Sequence, residues 1–250
     1  MREIRVDTIK EAVEGLFIEA NYNLPEGVIR RFENALQEEQ SPVGREVINE
    51  LLLNARIARD ERIPICQDTG LAVLFVEIGQ GVHLAGGNLS AAVSEGVRRA
   101  YQKGYLRKSA CDPFTRKNTG DNTPPILHVK IVLGEQIRVV VMPKGGGSEN
   151  YSEVRMLTPS DGVEGVKHFV LEMVQKAGAN PCPPITVGVG IGGNFETSAL
   201  LSKEALMLPF GKRNDDPSSN TIDNARLSFE YLISVGHGAA VVVTAYRRRR

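Results

Sequence analysis

Apolar residues recur at helical spacing along the first sixty residues, in three segments separated by turn residues at positions 21–25 and 40–42. In the third segment Val43, Val47 and Leu51 fall on one stripe, with charged residues between them. A helix with one apolar stripe packs that stripe on a core. The pattern therefore predicts a helical N-terminal region.

Later runs rich in branched and aromatic residues predict four strands, at residues 71–78, 126–133, 136–142 and 185–189. Helical periodicity predicts four further helices, at residues 88–104, 161–177, 196–207 and 221–233. Only Gly134 and Glu135 separate the second and third strands, which predicts an antiparallel hairpin. Because strands and helices do not alternate regularly, the predicted fold class is α+β, a mixed sheet with flanking helices.

The composition excludes several classes of function. Thirty Lys and Arg residues balance 30 Asp and Glu residues in a chain of 250, so no net field attracts nucleic acid or an anionic membrane. No apolar run is long enough to span a bilayer, and the N-terminus lacks the apolar region of a secretion signal, which predicts a cytoplasmic protein. Three scattered cysteines do not form a disulfide framework and are expected to be reduced.

Two of the cysteines have unusual neighbours. Cys66 directly precedes Gln67 and Asp68, and Cys182 lies between two prolines, which we expect to hold its backbone extended. A rigidly presented thiol suits a metal ligand, whereas an isolated cysteine is more often a small buried apolar residue. Closely spaced cysteine pairs typical of zinc sites are absent from the sequence. An iron–sulfur cluster accepts widely spaced cysteines, but spacing alone does not establish one.

A polar segment at residues 107–125 and two glycine segments could bind anions. Arg107 is a candidate anchor for a carboxylate, because its planar fork pairs with two oxygens; a solvated loop is the alternative. Lys144 precedes three glycines, at 145–147, whose amides can approach an anion closely; a flexible loop is the alternative. Residues 188–193 match G-x-G-x-x-G, a pattern typical of dinucleotide-binding sites, although the regular strand–helix–strand repeats of such folds are missing.

Five motifs in order carry a resemblance to a known family: ICQDTG at 65–70, LR at 106–107, KNTGDNTP at 117–124, KGGGS at 144–148 and NPCPP at 180–184. Together they resemble the α subunit, or N-terminal domain, of the iron–sulfur hydro-lyases comprising class I fumarases and L-tartrate dehydratases. The resemblance implies a 4Fe-4S cluster held by three cysteines, with one iron open to substrate. It also implies a small dicarboxylate substrate and a separate β subunit that completes the active site.

The same resemblance assigns residues to roles. Cys66 and Cys182 are two of the three cluster ligands, whereas Cys111 occupies a position that the family does not use and is expected to pack. Asp68 is the candidate acid/base group, or a residue that positions the site. The implied substrate contacts are Gln67, Arg107, Lys144, Gly145, Gly146 and Gly147. The leading activity is interconversion of fumarate and (S)-malate; the alternatives are L-tartrate dehydratase, a non-catalytic interaction subunit or defective cluster scaffold, and a dinucleotide-dependent oxidoreductase.

The sequence departs from the family near its C-terminus. Residues 1–233 are expected to form the hydro-lyase α-subunit domain and residues 234–250 an atypical tail. Family members continue to a third ligand cysteine, whereas no cysteine follows residue 182 here. A truncation, an altered reading frame near residue 234, or a different mode of cluster binding would each explain this, and the altered frame is favoured because the terminal arginines fit no family element. The tail is then expected to be solvated or poorly packed.

Overall fold

The structure is a computed structural model that describes residues 1–182, 184–208 and 239–247, the last range by its backbone. The chain divides into two compact units. The first unit comprises Met1–Leu24 and Leu53–Gly146, and the second comprises Pro25–Leu52 and the described residues from Gly147 onward. The domain boundary expected at residue 233 lies outside the described residues and stays a prediction.

Helices and strands are mixed along the chain, which confirms the α+β class. The described helices are α1 (Val6–Tyr22), α2 (Glu26–Glu38), α3 (Pro42–Glu61), α4 (Leu89–Lys103), α5 (Gly146–Glu149), α6 (Gly162–Ala177) and α7 (Phe195–Ala205). The described strands are β1 (Arg2–Arg5), β2 (Leu71–Gly79), β3 (Val82–Ala85), β4 (Ile126–Val132), β5 (Ile137–Lys144), β6 (Glu153–Leu157), β7 (Ile185–Ile191) and β8 (Ala239–Arg247). The helix predicted at 221–233 lies outside the described residues. None of the helices described above is long and apolar enough to cross a membrane, and the cytoplasmic location stays a prediction.

In the first unit a mixed sheet has the order β4–β2–β5, with β2 parallel to β4 and antiparallel to β5. Helices α1 and α4 contribute most of its core, which includes Phe17, Val93 and Tyr101. Strands β1 and β3 form a separate parallel pair. The mixed sheet with flanking helices is therefore confirmed.

The predicted hairpin between β4 and β5 is wrong, because β2 lies between them. Residues 72–76 of β2 are all buried and apolar, so this strand takes the central position, with a partner on each edge. The link between β4 and β5 passes the end of β2, where the Gly79 amide donates to the Gln136 carbonyl at 2.8 Å. A side chain at Gly79 would place its Cβ 2.4 Å from the Gly134 oxygen, so the crossing requires glycine.

In the second unit a parallel sheet has the order β6–β8–β7. Val243 of β8 is in register with Glu153 of β6 on one side and Val189 of β7 on the other. The backbone of Ala239–Arg247 is therefore paired on both sides, and the expectation of an atypical tail at residues 234–250 stays a prediction. The run of β-branched residues there suits a strand paired along both edges, and that property of the sequence outweighs its position near the terminus.

Candidate active site

The loop that carries Cys66, Gln67 and Asp68 joins α3 to β2, and hydrogen bonds from distant residues hold its backbone in place. The buried Tyr101 hydroxyl of α4 donates to the carbonyl of Thr69 at 2.8 Å and lies 3.0 Å from that of Gly70. The Asn122 side-chain amide, in the segment between α4 and β4, also donates to the Gly70 carbonyl, at 3.2 Å. Two separate parts of the chain therefore fix the backbone at the end of the loop.

Both carboxylate oxygens of Asp68 accept backbone hydrogen bonds. Oδ2 accepts from the Gly146 amide at 2.9 Å, and Oδ1 accepts from the Gly70 amide at 3.1 Å. A Cβ added to Gly145 would lie 3.3 Å from Asp68 Oδ2, so a residue without a side chain suits this approach. The structure thus brings together three residues that the sequence predicted for the site: Asp68, Gly145 and Gly146.

The Cys66 thiol is half-buried and makes two local contacts. Its Sγ accepts from the Asp68 amide at 3.4 Å and lies 3.6 Å from the Gln67 side-chain oxygen. A sulfur that accepts a backbone N–H is compatible with a role as a ligand of an iron–sulfur cluster, where such hydrogen bonds to sulfur occur. Gln67 itself is exposed, which leaves its amide group accessible to a ligand.

Arg107 presents its side chain to solvent while its backbone is fixed. Its carbonyl accepts from the Thr69 hydroxyl at 2.8 Å, and the preceding residue, Leu106, is buried in the core. Within the described part of the chain, no ion pair or hydrogen bond of the Arg107 guanidinium is found. The guanidinium is thus accessible to an anion and is attached to a backbone that contacts the cysteine loop.

Lys144 is more buried than a surface cation, with 2% of the residue exposed. Its Nζ lies 3.4 Å from the Gly145 carbonyl, and its backbone packs so closely on Gly70 that a Cβ there would lie 2.4 Å from the Lys144 carbonyl carbon. The predicted role of Lys144 in binding substrate stays a prediction. What the structure shows is a lysine that anchors the start of the glycine segment.

In the second unit, Gly147 lies beside the loop that carries Cys182. A Cβ on Gly147 would lie 3.1 Å from the Asn180 oxygen, and the exposed Cys182 Sγ lies 3.9 Å from the same oxygen. The extended backbone predicted for Cys182 is wrong, because its φ is +59°. The Cys182 amide donates to the Ala179 carbonyl at 3.0 Å, and this turn after α6 overrides the preference imposed by the flanking proline.

Cys111 lies in the polar segment between α4 and β4. It is half-buried and forms an isolated antiparallel bridge with Asn118. Among the described residues no group of three His, Cys, Asp or Glu side chains is arranged to hold a metal ion. The packing role expected for Cys111 and the ligand roles expected for Cys66 and Cys182 stay predictions.

Two residues that support the site were not singled out by the sequence. Tyr101 lies within the helix predicted at 88–104, and its hydroxyl gave no separate signal. Asn122 is 1% exposed, has φ +61°, and accepts from the amides of Ser109 and Ala110 at 2.7 and 2.9 Å. The signal available for Asn122 was its place in a run of glycine, aspartate and asparagine, residues that favour left-handed turns.

Close packing between α7 and β7 accounts for the glycines at 188 and 190 without a bound nucleotide. A Cβ at Gly188 would lie 2.2 Å from the Ser202 oxygen, and one at Gly190 would lie 2.1 Å from the Ser198 oxygen. These glycines let α7 pack directly on β7. The G-x-G part of the motif therefore reflects helix–strand packing.

Comparison with known proteins identifies the class to which this fold and site belong. A family model described as fumarate hydratase (Fumerase) matches residues 10–240. The protein named "Putative L(+)-tartrate dehydratase subunit alpha" from Methanocaldococcus jannaschii is 37% identical over 237 residues, which cover 92% of this chain and 82% of that protein. L(+)-tartrate dehydratase subunit alpha from Escherichia coli strain UTI89 is 32% identical over 222 residues, covering 87% of this chain and 73% of that protein.

The chain belongs to the fumarate hydratase family of hydro-lyases. Within it, the chain falls in the group formed by the α subunits of class I fumarate hydratases and tartrate dehydratases.

Proposed function

We propose that this chain is the α subunit of an iron–sulfur hydro-lyase that interconverts fumarate and (S)-malate together with a separate β subunit. The observation that carries the proposal is the Asp68–Gly146 hydrogen bond, which holds the cysteine loop against the glycine segment at 2.9 Å. The family match supports the reaction class, and the α-subunit names of the relatives support a β partner.

The proposed cofactor is a 4Fe-4S cluster with Cys66 and Cys182 as ligands. The amide hydrogen bond to Cys66 Sγ fits a ligating thiolate, because hydrogen bonds to sulfur tune and stabilise such clusters. In the part of the chain that the structure describes, no group of three His, Cys, Asp or Glu side chains is arranged to hold a metal ion, so the two ligands are proposed from the family motifs alone. When bound, a cluster iron without a protein ligand supplies a Lewis acid for the substrate hydroxyl.

The chain's own residues are proposed to bind and orient the dicarboxylate. The Arg107 guanidinium pairs with one carboxylate, and the exposed Gln67 side-chain amide and the Gly147 backbone amide supply further hydrogen-bond donors, because the Gly146 amide already donates to Asp68. In the dehydration direction a base removes a proton from the carbon next to the one bearing the hydroxyl, and the electron pair of that C–H bond forms the C=C bond as the C–O bond breaks. The departing hydroxide takes up a proton to leave as water, and the base returns its own proton to solvent, so the net products are fumarate and water.

Asp68 is proposed to hold this arrangement and to take part in proton transfer. Each of its oxygens accepts one backbone N–H and retains a second lone pair for a substrate proton or a water. Fixed in this way, the carboxylate needs no rearrangement before it reacts.

A second substrate, L(+)-tartrate, is favoured by the names of both relatives. The test is to co-produce the chain with its candidate β subunit without oxygen, then compare turnover of (S)-malate and L(+)-tartrate. Preferred turnover of malate supports the proposal, and preferred turnover of tartrate assigns the second substrate. A complex that forms without iron and acts on neither acid would identify a non-catalytic interaction subunit.

A further inference from the structure

In the second unit Lys203 and Glu149 form an ion pair in which the ammonium group contacts both carboxylate oxygens. Lys203 Nζ lies 2.6 Å from each carboxylate oxygen of Glu149. The side chains are 18% and 31% exposed, so water screens this pair less than it screens the surface pairs of the same unit. Among the described residues, no other carboxylate pairs with Lys203.

The lysine is presented from a rigid support. Helix α7 begins at an Asn194 cap, whose Oδ1 accepts from the Thr197 amide at 2.8 Å and from its hydroxyl at 2.7 Å. The missing side chains at Gly188 and Gly190 allow α7 to contact β7 along its length. Lys203 lies near the C-terminal end of this helix, so its position is set by the sheet.

Glu149 is the last residue of the short segment that begins with the glycines at 145–147. Gly147, Ser148 and Glu149 are consecutive, Ser148 is buried, and a turn follows in which the Ser152 amide donates to the Glu149 carbonyl at 3.1 Å. Gly147 in turn lies against Asn180, in the loop of Cys182. The ion pair therefore links α7 to residues 147–149, of which Gly147 contacts the loop that carries Cys182.

We infer that Lys203 is a positioning residue for the hydro-lyase reaction: through Glu149 it fixes the backbone of residues 147–149 beside the loop of residues 180–182. The inference rests on the proposed function, in which the Gly147 amide binds a substrate carboxylate. Neither side chain is assigned a contact with substrate. An amide donor displaced by about 1 Å can cost about 100-fold in rate, so a tie of this kind affects catalysis from a distance.

The test uses the α–β holoenzyme and the variants Lys203→Met, Lys203→Arg and Glu149→Gln, with Lys176→Met as the matched control. Lys176 belongs to the same unit and pairs with Glu153 at 3.0 Å, but its side chain is 62% exposed. We expect Lys203→Met to raise KM about 10- to 100-fold, with a smaller change in kcat and unchanged iron and sulfide content. Lys203→Arg should recover part of the affinity, and Lys176→Met should behave as wild type.

Hydrogen exchange of the backbone amides provides a readout that does not depend on activity. In Lys203→Met the amides of residues 147–152 should exchange faster, while those of α6 keep their wild-type rates. This comparison decides the positioning role even if the wild-type complex turns over neither malate nor tartrate, a result that would count against the proposed function alone.

Three results would overturn the inference. One is an active wild-type enzyme in which Lys203→Met matches Lys176→Met in KM and in exchange. Another is a loss of activity in Lys203→Met that follows loss of folded protein at unchanged KM. If Lys203→Met does not fold, the double variant Glu149→Gln/Lys203→Met, in which neither side chain of this pair is charged, replaces it. The third result would be a wild-type KM and wild-type exchange in that double variant.

Discussion

The Asp68 carboxylate accepts the Gly146 amide at 2.9 Å with one oxygen and the Gly70 amide at 3.1 Å with the other. Through these two bonds one side chain joins the loop after Cys66 to the start of β2 and to the glycine segment after β5. An aspartate used in this way cannot be replaced by asparagine without loss, because the asparagine NH₂ group would face an N–H.

Asp68→Asn should lower activity at least about 100-fold and the free energy of unfolding by about 1–3 kcal/mol. The control is Asp112→Asn. Asp112 accepts from the amides of Phe114 and Thr115 through a single oxygen, Oδ1, which asparagine retains. Steady-state kinetics and urea unfolding measure both effects. Equal behaviour of the two variants would contradict the role given to Asp68.

Arg107→Lys should raise KM for the dicarboxylate about 10- to 100-fold, because lysine keeps the charge but loses the two-pronged carboxylate contact. Arg116→Lys, at another exposed arginine of the same polar segment, is the control and should leave KM unchanged. Initial rates over a range of substrate concentrations give the comparison. A wild-type KM in Arg107→Lys would remove Arg107 from the binding site.

Tyr101→Phe should cost about 1–3 kcal/mol of stability, because the buried Thr69 carbonyl loses its donor. Tyr105→Phe, at a tyrosine that is 87% exposed, should cost almost nothing. Urea unfolding at pH 8 measures both values. A Tyr101→Phe protein as stable as wild type would show that the hydroxyl does not hold the loop.

Burial, and to a smaller extent the Asp68 charge, raises the pKa of the Tyr101 phenol well above its ordinary value. In the unfolded chain the pKa of this phenol is about 10. Because folding raises that pKa, the folded protein has its full stability below about pH 10 and loses stability as the pH rises above that value. Wild type should therefore lose stability relative to Tyr101→Phe between pH 8 and pH 10.5. A constant difference between the two proteins over that range would contradict the assignment.

Gly190→Ala tests the packing of α7 on β7. The new Cβ would lie 2.1 Å from the Ser198 oxygen, so the helix must shift, and we expect a loss of about 1–3 kcal/mol or more. Gly15→Ala, within α1 and with nothing within 4 Å of the added Cβ, should instead gain up to about 1 kcal/mol. Thermal unfolding distinguishes the two. Stability unchanged by Gly190→Ala would reopen the dinucleotide interpretation of residues 188–193.

The local features of the chain could be predicted from its sequence, because helical periodicity and turn residues act over a few positions. The N-terminal helices, α4 and α6 follow such patterns, and the class of fold follows from their mixture with strands. The sheet order could not be predicted in this way. Strand β2 separates β4 from β5 because its buried apolar run needs two neighbours, and that choice depends on contacts distant in sequence.

The candidate site was predictable as a set of motifs but not as a geometry. The motifs indicated Asp68 and the glycines, and the structure places Asp68 against Gly145 and Gly146. The burial of Lys144 and the left-handed backbone of Cys182 could not be predicted, because each depends on a turn or a close backbone approach that side-chain chemistry does not encode.

The measurement that tests the central claim most directly is the iron and sulfide content of the α–β complex purified without oxygen, with an EPR spectrum after mild oxidation. The account predicts iron and sulfide in wild type and in Cys111→Ser, a 3Fe-4S signal on oxidation, and loss of all three in Cys66→Ser and Cys182→Ser. A wild-type complex without iron or sulfide, or a Cys66→Ser complex that keeps its iron and activity, would contradict it.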